Sequence, residues 1–247
     1  MEYSYKKSKR QILMARDITK DFKELKSFIE SYNLQTVIQD EDFLRVLSKQ
    51  HKKYFGYLTF VAEITRLSDE SDFNLSQGQL NYLSESCSDV GQSIFIMTHG
   101  SYKASRMLMR SSIENFVKGF CIDSIPEITK KKSVSDIFDE VGDLPVFQDD
   151  PQQELFDRIR SQYSDLCKDV HTASLDYMEK TTALKYFPSF NVEKAEKASS
   201  TTVNLVSSYL YLLCTKYHSL FLKMHHRNRA NIISVIPRSK RPDLLGI

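Results

Sequence analysis

Apolar side chains along most of the chain recur three and four positions apart, the spacing that lines one face of an α-helix rather than one side of a strand. Between residues 10 and 31, Ile12, Ile18, Phe22, Leu25, Phe28 and Ile29 keep that spacing among charged neighbours and predict an amphipathic helix. A second starts near Asp40, where Asp40, Glu41 and Asp42 suit the positive end of a helix dipole. It runs to Tyr54 and continues or restarts as far as Leu67, before the polar stretch 68–78 breaks the pattern. Leu80, Leu83, Cys87, Val90, Ile94 and Met97 predict a helix over 79–98. After His99-Gly100, Met109, Ile113, Phe116, Val117 and Phe120 predict another over 101–122. A short helix at 134–140 and one over 151–171, opened by Pro151, follow. The last pattern starts at an Asn191 N-cap and runs unbroken to Ile236, where Pro237 stops it. At about 45 residues it is long for a globular helix, so a kink or break is expected near Asn228 to Asn231.

The elements add up to an all-α protein: a single up-and-down helical bundle with a long C-terminal helix. Three segments are expected: an N-terminal helical extension over 1–75, the bundle over 76–236, and a basic tail over 237–247. Composition agrees. Seven glycines and six prolines in 247 residues are too few turn formers for a sandwich, a barrel or a doubly wound sheet. A chain that is 41% hydrophobic and 11% aromatic can bury a core, which excludes wholesale disorder. The four cysteines form no C-x-x-C pair and sit in apolar helical stretches, where a thiol acts as a small hydrophobe. No apolar leader opens the chain. The most apolar window, Val203 to Leu222, carries Asn204, Lys216 and His218, so a buried helix is expected there, no membrane contact, and a cytoplasmic location.

Net charge is only +2, yet it is unevenly spread. From Lys197 to Pro242 there are eight basic residues and no acid, while 133–157 holds eight acids and no Lys or Arg. Lys223, Arg227, Arg229, Arg238, Lys240 and Arg241 are therefore candidate nucleic-acid contacts, since such a cluster attracts phosphates and releases counterions. Two other uses stay open: cations stabilise a helix C-terminus and solubilise a tail, or the acidic loop neutralises them within the fold or across a dimer.

Two constellations bear on chemistry. Arg106, Arg110, Glu114 and Lys118 follow one another in steps of four and share a helix stripe. Arg110 lies beside Met109 among apolar neighbours and needs Glu114 as partner if it is buried. In YSDLCKDVH, Tyr163, Cys167 and either Val170 or His171 share a face, and a buried phenol and imidazole each need a hydrogen-bond partner. The two stripes can meet, as a structural network or as a site with a tuned histidine. Cys214 and His218, four apart, can share a metal, but a closed tetrahedral site needs two more ligands; His225 and His226 lie beyond, yet Cys214 sits in the core-like run YLYLLC, so neither metal nor cofactor is expected. No P-loop, G-x-G-x-x-G, G-x-S-x-G or H-E-x-x-H pattern occurs.

LMRSSIENFVKGF, followed about 50 residues later by YSDLCKDVHTAS, resembles the paired R-S-x-x-E and Y-x-x-L-S-x-x-V-H signature of poorly characterised bacterial helical proteins. These are similar to the HEPN superfamily, and the likeness covers roughly residues 85–235. Cys167 stands where that signature usually has Ser. The resemblance implies a compact, often dimeric bundle belonging to an antiphage defence or toxin system and acting on RNA. The catalytic set would be Arg110, Glu114, Tyr163 and His171, with metal-independent attack by the 2′-hydroxyl: His171 moving the proton, Arg110 stabilising the phosphate. The usual ribonuclease pattern of that superfamily, Arg and His four to six residues apart, occurs only at Arg45 and His51, outside the likeness, and chance accounts for one such match. A non-enzymatic module binding a protein partner or nucleic acid through the basic C-terminal segment is the alternative.

Overall fold

The computed structural model describes residues 20, 22–70, 75–170, 175, 178–179 and 183–245. Helix α1 covers residues 22–31. It is followed by α2 (Glu41–Glu70), α3 (Gln77–Thr98), α4 (Tyr102–Cys121), α5 (Val134–Gly142), α6 (Gln152–Val170), α7 (Val192–Lys216), α8 (His218–Lys223), α9 (His226–Val235) and α10 (Arg241–Leu245), with short 3-10 turns between some of them. Among the described residues there is no strand. Local chemistry accounts for the starts: Ser76 and Gln79 form a reciprocal capping box on α3, Ser133 caps α5, and Asn191 caps α7 through the Lys194 N–H.

Cross-helix contacts reveal the direction of each long element. Ser86 meets Ser112 and Ser93 meets Ser105, so α3 and α4 run antiparallel. Each serine pair also sends a hydroxyl from α3 to an α4 carbonyl at 2.9 Å, so the two backbones approach closely without leaving a polar group unpaired. Arg106–Asp169 and Arg110–Tyr163 set α6 antiparallel to α4. Tyr57 packs on Tyr209 and Arg45 pairs with Glu196, so α2 and α7 run parallel. The long elements therefore alternate up and down in chain order, as the sequence predicts.

Tyr57, Phe60, Ile64, Leu83, Ile113, Phe116, Phe120, Tyr209 and Leu213 share one continuous core, with Phe116 stacked on Tyr209 at 3.9 Å. The boundary expected at residue 75 is thus not a packing boundary, because α2 supplies that core from its apolar face. Only α1 stands apart: Phe22 and Ile29 are each 63% exposed, while Tyr32 just beyond it stacks on His99 at 5.5 Å. The tail expected over 237–247 also folds back, burying Leu244, while Tyr211 donates to Asp243 and the His218 ring lies 3.1 Å from the Leu244 carbonyl.

The long C-terminal helix is interrupted earlier than Asn228. Tyr217 leaves helical geometry at φ −104°, ψ 38°, where its hydroxyl takes a hydrogen bond from Gln79 on α3. Met224 is extended, and α9 restarts because the buried Glu63 carboxylate of α2 accepts from the His225 N–H and the Asn228 side chain. Both breaks are made by partners on other helices, which hydrophobic spacing does not register. Among the described residues no helix is long and apolar enough to cross a membrane.

Helix α9 lies so close to α2 that a Cβ on Gly56 would sit 2.5 Å from the Val235 side chain. Gly56→Ala is expected to lower stability by about 1–3 kcal/mol in urea denaturation, because neither helix can retreat without opening the core. Stability should also fall on the alkaline side. Burial pushes the Cys87 and Cys121 thiols up to about 12 from an ordinary 9, and raises Cys214 and the Tyr57 and Tyr209 phenols as well. An unfolded chain releases those protons near pH 9 and the folded one holds them, so stability is full below pH 9 and is lost as pH climbs toward 12. Lys53 works the other way, its ammonium pushed down to about 8 by burial and by Lys52 and Arg241, but it is one group against several. The expected loss is on the order of 1 kcal/mol per thiol by pH 10. Melting temperatures from pH 7 to 11 check this, and Cys87→Ala with Cys121→Ala should flatten the curve.

Candidate nucleic-acid interface

Alternation brings the N-termini of α4 and α7 to one end of the bundle, together with the C-terminus of α6. The two starts are tied directly: the Asn191 N–H donates to the Tyr102 hydroxyl at 2.8 Å, and Val46, Met97, Tyr102, Ala195 and Ala198 pack beneath them. Burial raises the Tyr102 phenol, keeping it protonated. Helix N-termini carry partial positive charge, so this end is electropositive before any side chain is counted.

Side chains add to it. A small cavity of about 90 Å³ is walled by Lys103 and Arg106 from α4, Asp169 from α6, and Lys194 and Lys197 from α7, with Glu179 at its edge. A second, of about 220 Å³, continues past Arg106 and Lys197 to Gln162, Asp165 and Thr201. Arg106 separates the two. Its side chain is only 9% exposed, and both its Nε and Nη2 donate to Asp169 Oδ2 at 2.5 Å. A guanidinium so held keeps a fixed orientation, and Arg is the side chain suited to phosphate recognition. At the rim, Glu179 Oε1 accepts from the Lys103 backbone N–H at 2.8 Å, filling an anion position at the start of α4 with a carboxylate of the chain itself.

The other expected residues are placed as follows. Arg110, Glu114 and Tyr163 do meet: Arg110 donates to the Tyr163 hydroxyl at 2.8 Å, that hydroxyl donates to Glu114 at 2.9 Å, and Arg110 pairs with Glu114 at 3.0 Å. Cys167 is a further partner of Arg110. Burial pushes the Tyr163 phenol far up, Glu114 adding to this and Arg110 opposing it. The three groups form a triangle that clamps α6 to α4, with the Arg110 Nε left buried and unpartnered. His171 lies outside the described residues. Lys118 sits over the Tyr82 ring.

Among the expected C-terminal contacts, Arg229 donates to the Leu222 carbonyl, Arg241 to the Ser234 and Ile236 carbonyls, and Lys240 pairs with Glu154 at 3.2 Å. These cations cap helix ends and neutralise the acidic segment within the fold; Lys223, Arg227 and Arg238 are exposed. Arg45 is engaged by Asp42 and Glu196, while His51 stacks on Phe55, so the two do not form a site together. Cys214 is buried, and among the described residues no three His, Cys, Asp or Glu side chains converge to hold a metal ion. Sequence reading missed Asp169, Lys103 and Lys194. The only signal for Asp169 was the single acid two places before His171, on the face opposite Arg106.

The buried Arg106–Asp169 pair and the half-exposed triangle should respond differently to mutation. Asp169→Asn is expected to cost about 3–5 kcal/mol, because it strands a buried guanidinium. Tyr163→Phe leaves Arg110 and Glu114 in direct contact and should cost only about 1 kcal/mol. Guanidinium denaturation of the two variants checks the order. Comparison of the chain with known protein families, curated proteins and solved structures returns no match.

Proposed function

We propose that the chain is an HEPN-like effector of a bacterial defence or toxin system that binds RNA through its phosphates at the cleft between α4, α6 and α7. One observation carries the reading: four cations, one of them a buried and oriented arginine, converge on a pair of adjoining cavities whose three carboxylates, Asp165, Asp169 and Glu179, are each already paired with a donor of the chain. Such a place favours a multiply charged oxyanion over a neutral ligand. The cleft lies at the C-terminal end of α6, and His171 follows Asp169 by two positions in the chain. In the catalytic form of the proposal His171 takes the proton of a ribose 2′-hydroxyl as it attacks the neighbouring phosphate, the bond to the 5′-oxygen of the next nucleotide breaks with that oxygen taking a proton from water, a 2′,3′-cyclic phosphate is left, and Arg106 supports the charge that develops. Arg110, Glu114 and Tyr163 then act by holding α6 in register rather than by touching substrate. The C-terminal cations are weaker candidates for this contact, since Arg229, Lys240 and Arg241 already serve carbonyls and a carboxylate of the fold.

Fluorescence anisotropy with a labelled single-stranded RNA tests the reading. If about three phosphates are contacted, affinity should fall roughly 20-fold between 50 and 200 mM salt. Lys194→Glu with Lys197→Glu, both at exposed positions, should weaken binding at least tenfold, while Arg227→Ala with Arg238→Ala changes it little. Absence of binding at 50 mM salt, or indifference to the α7 reversals, overturns the proposal. Incubation of the same RNA with wild type and His171→Ala separates cleavage from binding alone.

A further inference from the structure

The cationic cavity does not end at Lys103 and Glu179. Those two residues are also walls of a larger open groove of about 440 Å³, whose remaining lining is mostly apolar: Met107, Leu184 and Phe187 among it. The volume falls within the roughly 300–1,000 Å³ of sites that take small organic groups. Its position follows from the backbone. Gly100, at φ +84°, turns α3 into α4 so tightly that a Cβ there would lie 2.3 Å from the Ser189 carbonyl. The connector 183–190 is thereby pressed against the first two turns of α4, and the Ser189 N–H donates to the His99 carbonyl. Along α4, Lys103 and Met107 are one turn apart, while Arg106 faces the cavity. Lys103 therefore stands between the two spaces with the Glu179 carboxylate, Arg106 lining the cavity and the Met107 thioether lining the groove. Met107 and Leu184 stay 46% and 55% exposed, so the apolar lining of the groove is open to solvent beside the charged cavity.

An apolar slot next to a phosphate-sized cationic cavity, with a hydrogen-bond acceptor between them, is complementary to one nucleotide: phosphate, ribose hydroxyls, base. We infer that the Met107–Leu184–Phe187 groove takes an unpaired base of a single-stranded RNA whose phosphate is held by Lys103, Arg106, Lys194 and Lys197. The Glu179 carboxylate accepts from a ribose hydroxyl at the junction. A base locked in a duplex cannot enter the groove, because its faces are covered by stacking neighbours and its edge by its partner. Phe187 offers a ring face that any base can use, so the site selects strandedness rather than sequence. The inference rests on the phosphate reading above and adds to it the chemical state of the ligand.

The test compares a labelled single-stranded RNA with a blunt duplex of the same length, at one salt concentration, by anisotropy. Wild type should bind the single strand at least tenfold more tightly. Phe187→Ala should cut single-strand affinity roughly 5- to 100-fold, the range for losing one stacked base, and leave duplex affinity unchanged. Leu184→Ser, at an exposed position where folding is not at stake, should act in the same direction. A 2-aminopurine in the strand should change its fluorescence on binding to wild type and not to Phe187→Ala. Equal affinity for the two RNA forms, or single-strand binding untouched by both substitutions, overturns the groove assignment while leaving the phosphate cleft intact. Adenosine monophosphate displacing the strand at equal nucleotide concentration overturns it in favour of a free-nucleotide pocket. If neither RNA form binds wild type, the phosphate reading itself fails.

Discussion

A guanidinium buried between two helices has to be met by a carboxylate in one position, and Arg106 meets Asp169 there. Apolar contacts alone let neighbouring helices slide by a turn at little cost, since leucines and isoleucines interdigitate in several registers. A charge pair does not, because a shift of one turn leaves both ions in a low-dielectric interior without a partner. Through this pair α6 is held so that its C-terminus arrives beside the starts of α4 and α7. The triangle of Arg110, Glu114 and Tyr163, starting one turn along the same seam, repeats the constraint with partly exposed groups and so at lower stakes.

Strict alternation of long helices has an electrostatic outcome that no single helix carries. With α2, α4 and α7 pointing the same way, their positive ends gather on one face of the bundle. At the opposite end Lys216 donates to the Phe120 carbonyl and pairs with Asp123, while Arg241 covers the end of α9, which runs antiparallel to α2 and closes beside the middle of that helix. Three cations of the basic C-terminal segment, Lys216, Arg229 and Arg241, are accordingly spent on the negative ends of helices of the fold. Lys103, Arg106, Lys194 and Lys197 gather instead at the positive end, as walls of the cavity they share with Asp169 and Glu179.

The helices were legible because their apolar faces keep helical spacing over many turns, and the Arg110–Glu114–Tyr163 cluster because two stripes of polar residues stood out against those faces. What spacing does not carry is partnership at a distance. Tyr217 ends a helix because of Gln79, 138 positions away, and α9 begins at His225 because of Glu63, 162 positions away. On either side of both breaks the apolar pattern continues, so the segment reads as one helix. Lys103 and Lys194 look like ordinary surface lysines in their own helices and acquire meaning only where two helix starts converge. Arg106 was visible as part of a ladder, but its partner, 63 residues on, was hidden in a stretch read for its phenol and imidazole.

The carboxylate of Glu63 also settles how the last quarter of the molecule is tied to the first. It sits in the middle of the bundle on α2, and its hydrogen-bond donors besides Arg66 come from His225 and Asn228. A chain cut before residue 225 would not simply lose a basic appendage. It would open the Glu63 carboxylate to water with Arg66 still paired to it, and would strip the Lys53 ammonium of the Val235 carbonyl beside Gly56. Helices α2 and α9 are therefore expected to unfold together as one cooperative unit.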